Sequence, residues 1–326
     1  MQRRHTLALL AITTSLWLAT TQAQAQAKEI SFGIISTESS ANLKSTWQPV
    51  LDDMQKATGL KVQAFFAPDY AGVIEGMRFN KVQVAWMGNK SGMEAVDRAN
   101  GEVFARMKQP DGDDGYWSLM VVHRDSPLRT LDDVLKARST LTLGFGDPNS
   151  TSGSLVPGYY AFAQNKVEPT KDFKRTLRAN HETNILAVVN RQIDVATVAS
   201  DAVDRMKLKM ADKAAELREV WRSPLIPSDP MLYRKDLDAD TKKKVRDFFF
   251  AYGRDAREKE NLRLLTIGSF VPSDNSQLTP IRQIEMVRDR AKIESDTTLT
   301  AEDRARRLQD IDAKLADLGR LLAAAK

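Results

Sequence analysis

Three adjacent hydroxyl side chains lie between a strand-like and a helix-like segment of this sequence. They are Ser150, Thr151 and Ser152, within the stretch DPNSTSG at 147–153. The apolar run LTLGFG precedes the stretch, and the helix-like run LVPGYYAFA follows it. The first amides of a helix have no partner inside the helix, and the helix dipole places partial positive charge there. Hydroxyls at that position add donors, so the stretch predicts a site for a tetrahedral anion such as phosphate, phosphonate, phosphite or sulfate.

An ordinary helix cap is a second explanation of the same residues, because serine and threonine are favoured there without any ligand. One hydroxyl is enough for a cap, whereas three in a row followed by Gly153 exceed that need. No lysine or arginine lies within the loop. An anion held here would be bound by neutral donors, which suits the binding and release of a solute without covalent chemistry.

Residues that could carry catalysis are few. The chain has no cysteine, which excludes disulfides, thiolate metal sites and cysteine nucleophiles. Its three histidines are His5, His123 and His181, and no HExxH, G-x-S-x-G or GK[ST] phosphate loop occurs. DGDDG (111–115) lacks the spacing of a calcium loop and predicts a surface loop. We therefore expect a binding protein without a metal or cofactor, and a secreted phosphoester or phosphonate hydrolase is the less favoured alternative.

The composition is that of a globular protein large enough for two domains. The chain has 326 residues, of which 42% are hydrophobic and 28% charged, and its formal net charge is +5. Basic and acidic residues are interleaved, and no basic cluster with interleaved aromatic residues occurs. Nucleic acid is therefore not an expected partner.

The N-terminus has the pattern of a secretory signal peptide. Arg3 and Arg4 precede an uncharged, largely apolar run at 7–19, and small residues follow at Ala23, Ala25 and Ala27. A transmembrane anchor needs about 20 apolar residues, so the run is too short for one. We expect residues 1–27 to be removed and the mature protein to be periplasmic.

The first part of the mature chain alternates strand-like and helix-like segments. KEISFGII (28–35), KVQAFFA (61–67) and KVQVAWM (81–87) predict strands, and a segment that predicts a helix follows each of them. This order predicts an open, mostly parallel sheet with helices on both faces. Ligands of such sheets bind outside the carboxyl ends of the strands, which here are followed by STESS, PDY and MGNKSG.

A second α/β unit follows the first. YWSLMVVH (116–123), LTLGFG (141–146) and IDVATVA (193–199) predict strands, and HETNILAVVNRQ (181–192) predicts a helix. Strands at about 116–122 and 219–226 are expected to link the two units. This is the outline of a two-lobed, hinged protein.

The C-terminal segment predicts two helices. One is expected over 281–293, and a cap formed by Thr300 and Asp303 begins the other. Its apolar residues recur at spacings of three and four, and they are Leu308, Ile311, Leu315, Leu318 and Leu322. This apolar stripe predicts either packing on the chain's own body or a homodimer contact.

Ten stretches spread over nearly the whole mature chain form a more specific pattern. They are FGIISTESS, FFAPDYAGVIEGMRFNKV, AWMGN, MEAVDRANG, GYWS, GDPNSTSG, LVPGYYAFA, NHETN, SPLIPSDP and PIRQ. Together they resemble the periplasmic phosphonate-binding proteins of bacterial ABC importers, the PhnD family. The resemblance implies an α/β fold of the type II periplasmic-binding-protein class, in which two doubly wound lobes joined by a two-strand hinge close on a ligand.

The resemblance also implies a domain organisation and a function. Residues 28–118 plus 224–280 are expected to form lobe 1, residues 119–223 lobe 2, and residues 281–326 a C-terminal helical extension. The expected ligand is a phosphonate, with 2-aminoethylphosphonate favoured, and the expected partner is an ABC permease in the inner membrane. Phosphite, methylphosphonate and a sensory rather than a transport role remain alternatives.

Site residues follow from the resemblance position by position. It implies that Ser150, Thr151 and Ser152 hold the phosphonate group, together with Tyr70 of the P-D-Y loop and His181 of H-E-T-N. It further implies that an amino group is bound at the other end of the ligand, by Asp201, Asp229 and Tyr116.

The residue types and their positions in the sequence are compatible with these roles but leave alternatives. Tyr70 follows a strand in the expected ligand crevice, where a phenol can donate to a phosphonate oxygen. Carboxylates at Asp201 and Asp229 would repel a phosphonate and pair with an ammonium, although helix capping and turn formation explain them equally well. Two positions depart from the family pattern: Asp201 replaces a typical glutamate, and Met87 stands where an aromatic residue is typical. Both bear on which ligand is bound.

Overall fold

The computed structural model describes residues 28–324. The predicted signal peptide, residues 1–27, lies outside the described residues. Within 28–324 no helix is both long and apolar enough to cross a membrane.

The described chain contains thirteen strands and twelve α-helices. The strands are β1 (Glu29–Ile34), β2 (Lys61–Phe66), β3 (Val84–Trp86), β4 (Gly101–Lys108), β5 (Gly115–Tyr116), β6 (Ser118–His123), β7 (Thr142–Phe145), β8 (Arg175–Arg178), β9 (Val195–Ala199), β10 (Leu217–Arg222), β11 (Ile226–Pro227), β12 (Pro230–Arg234) and β13 (Ser269–Pro272). The α-helices are α1 (Ser40–Thr58), α2 (Tyr70–Arg78), α3 (Asn89–Arg98), α4 (Leu131–Ala137), α5 (Pro169–Asp172), α6 (His181–Val189), α7 (Ser200–Lys209), α8 (Ala211–Ala214), α9 (Ala239–Ala251), α10 (Ala256–Leu264), α11 (Thr279–Ser295) and α12 (Ala301–Ala324). Other helical turns are of the 3₁₀ type (Arg138–Thr140, Ala163–Asn165, Asn275–Leu278) or the π type (Thr151–Leu155, Gly158–Phe162).

Lobe 1 is built on a six-stranded sheet with the order β13-β4-β12-β3-β1-β2. β1 pairs in parallel with β2 and β3, as the alternation of strands and helices predicts. β12 lies antiparallel between β3 and β4, and β13 lies antiparallel on β4.

The expectation of a mostly parallel sheet is therefore wrong for half of this lobe. The parallel part comes from successive β-α-β units, whereas β12 and β13 enter after the chain has returned from the other lobe. The sequence pattern also missed β4 and β13 altogether. Pairing between segments far apart in sequence, which leaves no local period, determines these strands.

Lobe 2 is built on a five-stranded sheet with the order β10-β6-β9-β7-β8. β7 pairs in parallel with β8 and β9, while β6 runs antiparallel to β9 and β10. The single strand expected at 219–226 is wrong, because Ser223–Leu225 separate β10 from β11. β11 instead pairs with β5 as a two-stranded antiparallel ribbon where the chain crosses between the sheets.

Each lobe has its own hydrophobic core, and residues next to each helix determine where that helix begins and ends. In lobe 1, the Trp47 ring packs on Phe32 and Trp86, with ring centroids 5.3 and 5.4 Å apart. Trp47 lies on α1, which begins where Ser39 accepts a hydrogen bond from the Asn42 amide. The helix ends at Gly59, whose φ of 69° is the left-handed conformation that glycine adopts freely.

The C-terminal helices pair with each other. α11 and α12 run antiparallel, and Arg290 of α11 forms a 2.6 Å ion pair with Asp312 of α12. The amide of Asp303 donates to Thr300 Oγ1 over 3.1 Å, which confirms the predicted cap. The apolar stripe is buried at Leu318 and half-buried at its other members, which are Leu308, Ile311, Leu315 and Leu322. Packing on the chain's own body is thus observed, and the homodimer contact stays a prediction.

The first turns of α11 contact both lobes. Ile281 and Ile284 pack against the core of lobe 2. On lobe 1, Arg282 pairs with Asp97 of α3 over 2.6 Å, and Glu285 accepts from Lys90 Nζ over 2.6 Å.

Candidate functional site

The hydroxyl-rich stretch forms a tight turn that begins a helix. The Asp147 carboxylate accepts a hydrogen bond from the Asn149 amide over 2.7 Å, and the Asp147 carbonyl accepts from the Ser150 amide over 2.9 Å. Ser150 is the N-cap, since its Oγ accepts from the Gly153 amide over 3.0 Å. Gly146 and Gly153 approach so closely that a Cβ on Gly146 would lie 2.5 Å from the Gly153 Cα, so the turn requires glycine at Gly146.

The helix that follows opens with a π turn. The Leu155 amide donates to the Ser150 carbonyl five residues earlier, over 3.1 Å. Ser150, Thr151 and Ser152 are each only 2% exposed, at the closed end of a cavity between the lobes. One of these hydroxyls caps the helix, and the other two are not needed for that purpose. π turns are rare in proteins overall, and those that occur are often found at functional sites. The turn at Ser150 therefore agrees with the predicted anion site.

His181 faces this helix start as a neutral donor. The Ala199 amide donates to His181 Nδ1 over 3.3 Å, which places the ring proton on Nε2. Nε2 lies 3.4 Å from Ser150 Oγ. Burial, and next the positive charge of Arg205, lower the pKa of His181 to about 3. Asn180 and not His181 caps α6, because its side chain accepts from the Thr183 amide.

Tyr70 reaches the same cavity from lobe 1. Asp69 caps α2 by accepting from the Gly72 amide over 2.8 Å, and this cap places Tyr70 in the first turn. The Tyr70 amide donates across the cleft to the Asp147 carboxylate over 3.2 Å. Burial, and next the charge of Asp229, raise the pKa of the Tyr70 phenol, so the hydroxyl stays protonated and can donate.

Two carboxylates form a second group of polar side chains in the cavity. Trp86 Nε1 donates to Asp229 Oδ2 over 3.1 Å, while Asp229 Oδ1 is buried and has no hydrogen-bond partner within residues 28–324. Asp201 lies in the first turn of α7 and accepts from Ser200 Oγ over 3.2 Å. Burial raises the pKa of Asp229 to about 7, and the negative charge of Asp201 is the second cause of this rise. Burial also raises the pKa of Asp201.

The two ordinary explanations of these acids do not match the structure. The N-cap of α7 is Ala199 and not Asp201. Asp229 points its carboxylate at the indole of Trp86 rather than at a turn amide. Tyr116 lies beside both acids: burial, and next the charge of Asp229, raise the pKa of its phenol well above the ordinary value.

All eight residues expected at the site line this one cavity. They are Tyr70, Tyr116, Ser150, Thr151, Ser152, His181, Asp201 and Asp229. Thr37 and Gly88 also line it, and they lie in the stretches STESS and MGNKSG that were expected to follow strands at the ligand site. Trp86 and Arg205 line it as well and were missed by the sequence interpretation.

Arg205 is the most consequential of the missed residues. It lies one turn after Asp201 on α7 and forms an ion pair with Glu38 of lobe 1. Its Nη1 donates to Thr266 Oγ1 over 3.1 Å, and Lys209 Nζ lies 3.0 Å from the same Glu38 carboxylate. Burial alone would raise the pKa of Glu38, but the two cations hold it below the ordinary value. The i, i+4 spacing of Asp201 and Arg205 was the signal available in the sequence.

Further hydrogen bonds join the lobes around the cavity. The Lys90 amide of α3 donates to Thr151 Oγ1 over 2.8 Å, so this hydroxyl keeps its own proton for another acceptor. Glu182 of α6 accepts from the Ser39 amide over 2.8 Å, and its own amide donates to the Thr37 carbonyl over 3.2 Å. The described structure therefore has the two lobes closed on each other.

The cavity brings together two polar groups of different character. Neutral donors around the helix start form the anion end, and the carboxylates of Asp201 and Asp229 form the acid end. Arg205 lines the cavity as well and is paired with Glu38. Within 28–324, no group of three or more histidine, aspartate or glutamate side chains is arranged to hold a metal ion. The arrangement can bind a small molecule that is anionic at one end and cationic at the other.

Comparisons with known proteins point in the same direction. A family model described as "ABC transporter, phosphonate, periplasmic substrate-binding protein" matches residues 32–278. The chain is 52% identical to the phosphonates-binding periplasmic protein of Escherichia coli K12 over 307 residues, covering 94% of this chain and 90% of that protein.

Solved structures show the same similarity. A binding protein of a phosphonate ABC transporter from Pseudomonas aeruginosa superposes with a TM-score of 0.89 at 51% identity, covering 92% of this chain and 99% of that one. A Prochlorococcus marinus protein solved in complex with methylphosphonate has a TM-score of 0.72 at 21% identity, covering 80% of this chain and 98% of that one. The second likeness concerns the fold alone.

Proposed function

The chain belongs to the periplasmic substrate-binding proteins of phosphonate ABC transporters, and we propose that it captures 2-aminoethylphosphonate and delivers it to the membrane permease. The observation that carries the proposed ligand is the pairing of neutral donors at Ser150–Ser152 with the carboxylates of Asp201 and Asp229 in one cavity. A phosphonate without an amine uses only the first of these groups. An aminophosphonate uses both.

At the anion end, the proposed phosphonate lies against the helix start. Ser150 and Thr151 each accept one backbone hydrogen bond and keep a hydroxyl proton to donate. His181 Nε2–H and the Tyr70 hydroxyl supply further donors. Hydrogen bonds to an ionised acceptor are about twice as strong as neutral ones, so these few groups are enough for firm binding.

At the acid end, the proposed ammonium lies between Asp201 and Asp229. The unpartnered Oδ1 of Asp229 is a buried acceptor, and leaving such a group unpaired has a large free-energy cost. An ammonium removes that cost and offsets the repulsion between the two acids. The Tyr116 hydroxyl completes the wall beside them.

Capture proceeds by closure of the lobes. We place the hinge at the ribbon of β5 and β11, with the lobe boundaries at 118/119 and 223/224 and the C-terminal extension from 281. The ligand favours the closed form only through contacts that the open form lacks, such as Tyr70 from lobe 1 and Ser150 from lobe 2. We further propose that residues 1–27 direct export to the periplasm and that binding and release involve no bond-making step. If the protein forms a homodimer, we propose that α11 and α12 form the contact between the two copies.

The experiment that tests the ligand is calorimetric titration of the mature protein with 2-aminoethylphosphonate, methylphosphonate, phosphite and phosphate. The same titrations on Asp229→Asn keep the shape of the side chain and remove its charge. We expect the variant to weaken 2-aminoethylphosphonate by about 10- to 100-fold, the range for one charge-assisted contact, while methylphosphonate binding is unchanged or improved.

A matched control is Asp204→Asn, an exposed acid on α7 outside the cavity. It should leave both affinities unchanged. Equal losses of 2-aminoethylphosphonate and methylphosphonate in Asp229→Asn would rule out the ammonium assignment. A wild-type preference for methylphosphonate or phosphite would replace the proposed ligand with a small oxyanion.

A further inference from the structure

A second small cavity lies directly behind the two carboxylates of the site. Trp86, Asp201, Arg205 and Asp229 line both cavities and so form the wall between them. The volume of this rear chamber is about 20 Å³. A water molecule needs about 10–15 Å³ on the same measure, so the chamber holds one group of the size of a water or a methyl.

The far wall of the rear chamber is formed by five apolar and four polar side chains. The apolar ones are Leu43, Trp47, Met107, Leu265 and Ile267, all of them buried, and the polar ones are Glu38, Thr46, Gln109 and Thr266. The apolar side chains form the larger part of the chamber's surface, so the chamber can take an apolar group.

The chamber is adjacent to the place where the ligand's nitrogen must lie. An ammonium held by Asp201 and Asp229 touches the shared wall, so a substituent on that nitrogen points between the acids toward the chamber. Asp201 is one methylene shorter than glutamate, which leaves more room between the acids for a passage to the chamber. The Trp86 ring borders both cavities, and Trp47 lies behind it with ring centroids 5.4 Å apart. Aromatic rings attract the partly positive methyl groups of an alkylated ammonium.

We infer that the site takes N-methylated aminophosphonates, with the methyl group in the rear chamber. This inference rests on the proposed binding of 2-aminoethylphosphonate and adds the substrate class. The carboxylates still pair with the charge, because a secondary ammonium keeps two N–H donors. The methyl group replaces the third N–H and contacts the apolar side chains of the far wall.

The test is calorimetric titration of the mature protein with 2-aminoethylphosphonate and with its N-methyl and N-isopropyl derivatives. Burial of one methyl group predicts that the N-methyl compound binds about fourfold tighter than the parent. The N-isopropyl compound exceeds the chamber and is expected to bind at least about tenfold more weakly than the N-methyl compound. Weaker binding of the N-methyl compound than of the parent overturns the inference. Equal binding of the N-isopropyl and N-methyl compounds also overturns it, since the substituent would then lie outside the chamber.

Two variants reduce the space from opposite sides. Asp201→Glu lengthens the acid that borders the passage, and Ile267→Phe fills the chamber from its far wall. In each variant, the ratio of the N-methyl to the parent association constant should fall at least about fivefold. Leu208→Phe, at an exposed position of α7, is the control and should leave the ratio unchanged. An unchanged ratio in Asp201→Glu overturns the inference even where Ile267→Phe does not fold.

The same titrations separate failure of this inference from failure of the proposed function. If the parent compound binds tightly and loses affinity in Asp229→Asn, the ammonium assignment stands whatever the N-methyl compound does. If methylphosphonate binds better than both amines, the ammonium assignment fails and the inference fails with it.

Discussion

The two ends of the cavity are built in different ways. The anion end takes three donors from consecutive residues, Ser150 to Ser152, and the turn and helix start that hold them are local in sequence. The acid end takes Asp201 from the start of α7 in lobe 2 and Asp229 from the residue before β12 in lobe 1, so its two carboxylates come from segments distant in sequence. Its carboxylates have raised pKa values, whereas the histidine of the anion end is neutral because its pKa is lowered.

This difference separates affinity from selectivity. Neutral donors bind any tetrahedral anion of the right size, and the donors of the helix start are held in place by local hydrogen bonds. Two neighbouring carboxylates repel each other in the empty site, and a bound ammonium relieves that repulsion. We therefore expect changes at the anion end to affect all phosphonates alike and changes at the acid end to affect only those with an amine.

The largest expected effect comes from removing the hydroxyls at the anion end. The double variant Ser150→Ala/Thr151→Ala should weaken 2-aminoethylphosphonate and methylphosphonate to the same degree. Two lost hydrogen bonds to a charged group predict at least about 2 kcal/mol, or roughly 30-fold, in the dissociation constant. Calorimetric titration with both ligands measures this.

Ser154→Ala is the matched control, because Ser154 lies in the same π turn but outside the cavity. It should change neither affinity by more than about twofold, as expected for a contact that does not involve the ligand. The double variant also loses the helix cap, so its thermal unfolding should show about 1 kcal/mol of destabilisation. Loss of the amine ligand alone would contradict the division between the two ends.

A smaller effect is expected from pH at the acid end. The pKa of Asp229 is raised from 3.8 to about 7 in the empty protein, so below pH 7 an ammonium must displace a proton. The affinity ratio of 2-aminoethylphosphonate to methylphosphonate should rise by up to about tenfold per pH unit up to pH 7 and level off above it.

Stability of the empty protein should follow the opposite trend. Between pH 3.8 and about 7, folded Asp229 keeps a proton that the unfolded chain has lost, so this group's contribution to stability falls as pH rises through that window. In Asp229→Asn both trends should disappear. A ratio that does not change with pH in the wild type would show that Asp229 is already ionised in the empty site.

Local sequence signals made the anion end of the site predictable, but they did not predict every residue beside the acid end. The helix start at Ser150 follows from turn residues, a cap and a preceding strand, all within a few positions. Tyr70, His181 and Asp201 lie in first helical turns after strands, where ligand sites of α/β sheets are expected. Their specific roles came from the resemblance to a family.

Long-range pairing explains what the sequence did not reveal. Arg205 pairs with Glu38, 167 residues away, and no period in either segment indicates the contact. β12 is inserted between β3 and β4 for the same kind of reason, because its partners are fixed by the return of the chain from lobe 2. The rear chamber depends on side chains from several distant segments and was not foreseen.

The smallest expected effect concerns His181. Because its pKa is lowered to about 3 and the Ala199 amide donates to Nδ1, the ring should stay neutral with its proton on Nε2 from pH 5 to pH 8 in the empty protein. Nitrogen NMR of the imidazole should show an unprotonated Nδ1 and no titration of His181 over that range. A ring that titrates near pH 6.5 would make the anion end charge-dependent and remove its contrast with the acid end.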